Sequence, residues 1–192
     1  MNNPSHFKLF QRLTSMLATR EAIAEDIPHI TSILNYYIAH AAATFQTEQH
    51  PLESSPFLDT HRDVRDRELP FLVAVEDETV VGYCYVVGHS WPGRKAYRHT
   101  ADLSIYVHHD WRGRGAGKLL MNELMNELKK TDIREVLCVM AVNDEGPGGG
   151  YELRDWYGHW GFVQVGHMKN VGFKFGRWLD VLVLKASIRQ DT

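Results

Sequence analysis

Between Val107 and Leu120 the chain reads Val107-His-His-Asp-Trp-Arg112-Gly-Arg-Gly-Ala-Gly117-Lys118-Leu-Leu, with glycine at every second place from Gly113 to Gly117. An alternating apolar run ends just before this stretch, and a run with helical spacing begins just after it. A strand that ends in a tight turn and passes into a helix aims several N–H groups at one point, a natural seat for a pyrophosphate. Side chains would block that approach, and Gly113, Gly115 and Gly117 remove them. The helix dipole favours the anion, and Arg114 or Lys118 can add charge-assisted bonds. The stretch has no Gly-Lys-Ser/Thr ending of a phosphate loop. Antiparallel strands precede it, so no short βαβ unit with a closing acid marks a dinucleotide site. The competing reading is a turn whose glycines only satisfy backbone geometry.

The elements that must carry this turn are legible from periodicity. Met16 to Ile23 predicts a first strand. Glu25, Asp26 and Pro28 signal a helix start, with Asp26 or a neighbour as cap, and Ile27, Ile30, Ile33, Leu34, Tyr37 and Ile38 recur at helical spacing toward Ala43. A short helix is expected around His61 to Glu68. Strands are expected at Phe71 to Val75 and Val80 to Val87, joined by the turn Glu76-Asp77-Glu78-Thr79. Leu103, Ile105 and Val107 alternate with polar residues in a further strand. Leu119, Leu120, Met121, Leu124, Met125 and Leu128 mark the helix after the turn, and Val136 to Val142 a strand. Glu152 to Trp160 predicts a helix, Val163 to Val165 a strand, then a turn-rich stretch, then a last strand from Leu179 to Leu184. This order makes an α+β fold with a mixed central sheet.

With 192 residues and 44% hydrophobic content, one well-buried core is expected. Residues 1–14 read as an N-terminal extension and 15–188 as one domain. Lys8 and Arg12 without an acid leave both a targeting segment and a frayed terminus open there. A net charge of -3 with scattered basic residues argues against nucleic acid or an anionic membrane as partner, and no apolar run reaches the roughly 20 residues that cross a bilayer. Cys84 and Cys138 each sit in an apolar run, which suits reduced thiols and a cytoplasmic location better than a disulfide.

Arg112, Gly115 and Gly117 fill the places of the acetyl-CoA signature Arg/Gln-x-x-Gly-x-Gly/Ala, so the stretch resembles the GNAT N-acetyltransferase superfamily. Three separated segments narrow the resemblance: Ala43-Thr-Phe45-Gln-Thr-Glu48, Arg94-Lys-Ala-Tyr97-Arg-His-Thr100-Ala-Asp102 and Gly172-Phe-Lys174-Phe-Gly176-Arg-Trp178-Leu-Asp180. Together they look like the phosphinothricin and methionine sulfone/sulfoximine acetyltransferase branch, over about Thr19 to Leu184. The resemblance implies a mostly antiparallel central sheet flanked by helices, with a strand splayed at the acetyl-CoA site, and acetyl transfer from acetyl-CoA to the primary amine of a small amino-acid-like compound. It implies a homodimer and no metal.

Carried over residue by residue, main-chain groups of Ile105, Tyr106 and Val107 would hold the pantetheine arm and the thioester carbonyl, and Arg112, Gly113, Arg114, Gly115, Ala116, Gly117 and Lys118 the pyrophosphate. Asn143 would bond the arm, although an insertion containing Gly146-Pro-Gly-Gly-Gly150 follows it. An attacking amine must be the free base, so a carboxylate is needed to take its proton. Asp102 stands where the branch has glutamate, and a side chain shorter by about 1.5 Å favours a water relay or a shifted substrate. An Asp paired with Arg94 or Arg98 is the structural alternative. Tyr157, four residues before Gly161, would protonate the leaving thiolate, or else pack with Trp156 and Trp160. Phe45, Arg94, Lys95, Ala96, Tyr97, Thr100 and Lys174 would bind the amine substrate, Lys174 and Trp178 acting across a dimer interface. The rival functions are an acyl-CoA sensor without turnover and an acetyltransferase for another amine class.

Overall fold

Tyr83 and Tyr85 stand opposite Tyr106 and Ser104 on paired strands, while the residues between them, Cys84 and Ile105, face the other way. This period of two gives the sheet one face of tyrosines and one of aliphatic and sulfur side chains. The computed structural model describes residues 16–52, 55–88, 94–142 and 147–189, and Asn143 and the N-terminal extension fall outside them.

The elements run β1 (Leu17–Glu21), α1 (Ile27–His40), α2 (Phe57–Asp66), β2 (Phe71–Glu76), β3 (Thr79–Gly88), β4 (Thr100–Val107), α3 (Ala116–Leu128), β5 (Glu135–Ala141), α4 (Glu152–Gly158), β6 (Val163–Lys174) and β7 (Arg177–Ser187). One seven-stranded sheet has the order β1-β2-β3-β4-β5-β7-β6. Only β4 and β5 pair in parallel, so the sheet is mixed and mostly antiparallel, as expected. α1 and α2 cover one face through Ile27, Ile30, Ile33, Leu34, Phe57 and Val64. On the other, Leu120, Met121, Leu124 and Leu128 of α3 pack with Val136, Cys138 and Met140 of β5. Each such aliphatic side chain taken fully out of water contributes about 1.5–3 kcal/mol.

Three local expectations change. α2 begins four residues before His61, because Phe57 is a buried anchor of that helix. Asp26 stands at the N-cap of α1 without capping it. Its carboxylate instead receives both terminal nitrogens of Arg20, at 2.6 and 2.8 Å, and the Ile23 N–H. The stretch from Gly166 to Trp178 is a long hairpin rather than a series of turns. β6 is an edge strand with most residues exposed, so no apolar alternation marks it, and β7 serves as its template. Register shifts after Gln164 and Met168 bend β6, and the Asp180 carboxylate holds the second bend through the Asn170 N–H and His167.

Candidate active site

The parallel pairing of β4 and β5 begins at Thr100 opposite Glu135 and stops at Leu103 opposite Cys138, although both strands continue. Beyond that point they part, and a split opens in the sheet. The His108 N–H bonds the Val81 carbonyl. Antiparallel pairs alternate between bonded and non-bonded, so Val107 and Ile105 aim their N–H and C=O groups away from β3, into the split. Tyr106 has the opposite phase: its main chain faces β3 and its phenol lies on the α1 side. Of the three expected main-chain ligands, Ile105 and Val107 therefore face the split and Tyr106 does not. The Val107 carbonyl is already taken by the Tyr37 hydroxyl at 2.6 Å, leaving that residue's N–H for a ligand.

At the wide end of the split lies the glycine turn. Gly115 is the N-cap of α3 with φ +95, and Gly113 has φ +75, both in the left-handed region that favours glycine. A Cβ at either place would meet nothing within 4 Å, so both Cα atoms face open space. The first helical bond runs from the Leu119 N–H to the Gly115 carbonyl, and no side chain caps the helix. The N–H groups from Gly115 to Lys118 are thus left to point outward, as an anion requires. Gly117 is half-buried, and a Cβ there would lie 3.4 Å from Trp156 and 3.6 Å from Val107, ordinary contact distances, so this position faces β4 and α4. Ala116 is buried below the turn, whereas Arg112, Arg114 and Lys118 are exposed. Arg114 lies over the Trp111 ring, and a stack of Tyr36, His109 and His108, with centroids 3.8 and 4.2 Å apart, borders the same turn. His108, His109 and Asp110 form the one cluster of metal-ligand side-chain types among the described residues. The Nδ1 atom of His108 accepts the Asp110 N–H, which ties it into the turn.

At the narrow end stand the two residues expected to move protons. Asp102 is half-buried, opposite Leu137, one pair before the split. Tyr157 is 4% exposed and donates its hydroxyl to the thiol of Cys138, the last residue of β5 that pairs with β4. Burial, with Cys138 beside it, raises the Tyr157 pKa well above the ordinary phenol value, so it stays a proton donor. Burial also pushes the Cys138 thiol up to about 12, with Asp102 adding to the shift.

The α1 face holds a cavity of about 170 Å³ beside β3 and β4, walled by Leu34, Gln46, His50, Tyr83, Ser104 and Tyr106 among others. Asp102 shares this face one pleat from Ser104. None of the seven expected amine-binding residues lines it. Arg94, Lys95 and Ala96 are exposed and Tyr97 half-buried on a turn before β4, with Thr100 at the strand's start. Phe45 lies over Gly172 of β6, so close that a Cβ there would be 2.1 Å from the ring. Lys174 is a correction. It is 5% exposed, and its ammonium donates to the carbonyls of Ala41 and Thr44 at 2.8 Å and of Tyr37 at 3.4 Å. All three donors are engaged at the C-terminal end of α1 in its own chain, so a substrate carboxylate finds no free donor there. The polar wall residues Tyr83, Tyr85 and Ser104 escaped notice in the sequence, where their period-two spacing with Tyr106 was the available signal.

The Acetyltransferase (GNAT) family model matches residues 33–146, more than half of the chain. This chain belongs to the GNAT acetyltransferase family. It is 34% identical over 161 residues to a phosphinothricin N-acetyltransferase of Alcaligenes faecalis, covering 84% of this chain and 77% of the relative. It is 27% identical to an L-methionine sulfoximine/L-methionine sulfone acetyltransferase of Salmonella typhimurium, over 90% of this chain and 95% of the relative. Among solved structures, a phosphinothricin acetyltransferase of Sinorhizobium meliloti in complex with acetyl-CoA superposes with a TM-score of 0.78 at 27% identity, covering 89% of this chain and 88% of that one.

Proposed function

We propose that this acetyltransferase moves the acetyl group of acetyl-CoA to the primary amine of a small amino-acid-like compound of the phosphinothricin or methionine sulfone/sulfoximine type. The carrying observation is the split between β4 and β5, with an uncapped, glycine-lined helix start at its wide end and Asp102 and Tyr157 at its apex. An anionic, phosphate-bearing donor fits the open Cα atoms of Gly113 and Gly115, and the names of the relatives supply the class of amine.

In this reading the N–H groups from Gly115 to Lys118, with Arg112 and Arg114, hold the phosphates, and the groups of Ile105 and Val107 that face the split hold the arm. One of their N–H groups, aimed at the thioester oxygen, stabilises the charge that develops there, so main chain alone suffices. Asp102 takes the amine's proton, directly or through water, and the amine nitrogen then attacks the thioester carbon. As the carbon–sulfur bond breaks, Tyr157 gives its proton to the thiolate. The exposed turn from Arg94 to Tyr97 supplies cations near the approach to Asp102.

A homodimer is part of the proposal. β6 is an edge strand, and Val163, Val165, Met168, Val171 and Phe173 on it and Trp178 on β7 are all more than two-fifths exposed, an apolar surface suited to association. Sedimentation showing only the 22.1 kDa chain at micromolar concentration contradicts it. A cytoplasmic location accords with two buried free cysteines and with the absence of a membrane-crossing helix among the described residues.

The test is thiol release from acetyl-CoA across phosphinothricin, methionine sulfone, methionine sulfoximine, common amino acids and polyamines. Turnover confined to the first three and their close analogues is expected. Acetyl-CoA binding with no turnover of any amine identifies a sensor, and preferential turnover of polyamines overturns the amine class.

A further inference from the structure

We propose that Tyr83 is a specificity-determining residue whose phenol donates a hydrogen bond to a side-chain S=O or P–O oxygen of the substrate inside the cavity between α1, α2 and the sheet. The proposal rests on the amino-acid reading above and adds which group recognises the oxidised side chain.

Tyr83 lies in the middle of β3 and is 0% exposed. Its ring packs edge-on to Phe57 and is stacked with Tyr106 at 5.5 Å, contacts a phenylalanine would make equally well. The hydroxyl is what needs explaining, because it has no hydrogen-bond partner among the described residues. Folded proteins retain few such groups, and each calls for a reason.

The other tyrosines on the same wall differ. The Tyr85 phenol oxygen accepts from Ser104, and that of Tyr106 accepts from Thr44 while its O–H reaches the Ala43 carbonyl at 3.5 Å. Gln46 and His50, across the cavity, bond each other at 2.5 Å. Tyr83 is the one phenol of the three whose hydroxyl has no partner among the described residues, a donor held in reserve for an acceptor that arrives with the ligand. Burial raises its pKa well above that of a free phenol, so it carries its proton throughout the physiological range.

Position and size fit the side-chain end of a small amino acid. Tyr83 pairs with Tyr106 and Asp102 with Val87, four places apart along the same face of the two strands. That is about 13 Å of main chain, with Ser104, a wall residue of the cavity, between them on the same face. An amine delivered to Asp102 therefore points its side chain along this face toward Tyr83. The cavity of about 170 Å³ is below the roughly 300–1,000 Å³ of sites that enclose a whole drug-sized ligand, and suits a single side chain. A donor with no competing acceptor favours a sulfone, sulfoximine or phosphinate oxygen over the bare thioether of methionine.

The experiment compares the parent with Tyr83→Phe on L-methionine sulfone and L-methionine, by thiol release at saturating acetyl-CoA, together with thermal melting. Tyr83→Phe should raise KM for the sulfone by about 5- to 20-fold, leave kcat within about twofold, and leave KM for methionine unchanged or lower. The melting temperature should hold or rise, since a buried hydroxyl without a partner is removed. Equal changes on both substrates, or none on either, overturn the role of Tyr83. A lower melting temperature with equal losses on both reveals a structural hydroxyl and overturns it as well. Failure of the parent on every oxygenated amino acid is a different result: it overturns the substrate reading itself, before the variant is compared, and the inference with it.

Discussion

The two ends of the split are made of different material. At the wide end, the turn from Arg112 to Lys118 offers main-chain N–H groups on glycines whose Cα atoms face open space, all within seven consecutive residues. At the other, Asp102, Tyr157 and the cavity beyond them draw side chains from α1, the loop after it, α2, β3, β4 and α4. In the proposed function, a site of main-chain groups serves a ligand part that never changes, the phosphates of a common donor. A site of side chains can be retuned one residue at a time, as an acceptor pocket needs. Substitutions at the first should abolish binding for every amine alike, and substitutions at the second should change turnover or choice of amine while donor affinity persists.

The hardest test of this contrast is Asp102→Asn. If Asp102 takes the amine's proton, turnover should fall by about 10²- to 10⁴-fold, with acetyl-CoA affinity by calorimetry little changed. Asp102→Glu should stay active, since it restores a carboxylate. A folded, fully active Asn variant would remove Asp102 from the chemistry.

At the turn, Gly115→Glu should weaken acetyl-CoA binding for any amine by about 100-fold, because it places a carboxylate where phosphate should lie. With φ at +95, any side chain there also strains the backbone by about 1–2 kcal/mol. Gly115→Ala carries the same strain without the charge, so the difference between the two variants isolates the anion. Equal affinities in folded Ala and Glu variants would show that no phosphate lies at Gly115.

The smallest effect expected on catalysis is at Lys174. Lys174→Met strips three carbonyls at the end of α1 of their donor, and melting should fall by about 4–8 °C, corresponding to about 2 kcal/mol. KM for the amine should change less than twofold. A large rise in KM with unchanged melting would return Lys174 to the substrate.

Most of the fold can be read along the chain, because helix and strand periods with caps and turns are local properties. The apolar spacing from Ile27 to Ile38, the alternation into Val107 and the glycines after Arg112 each predict an element found in place. The edge strand β6 escapes that reading, since most of its residues meet solvent and only pairing with β7 makes it a strand.

The turn proposed to hold the phosphates is likewise legible, because its groups are main chain and its shape depends on which neighbours are glycine. The amine side is not. Lys174 has the same letters whether it meets a substrate or three carbonyls 130 and more residues away, and it is packing that delivered it to the end of α1. Tyr83 reads as one more aromatic in a strand until the fold surrounds its hydroxyl and leaves it without an acceptor. Sequence determined the elements, their order and the glycine turn proposed as the seat for an anion, through interactions between near neighbours. Tertiary structure alone decided which polar groups were consumed inside the protein and which were left for a ligand, because desolvation depends on everything that surrounds a group in space.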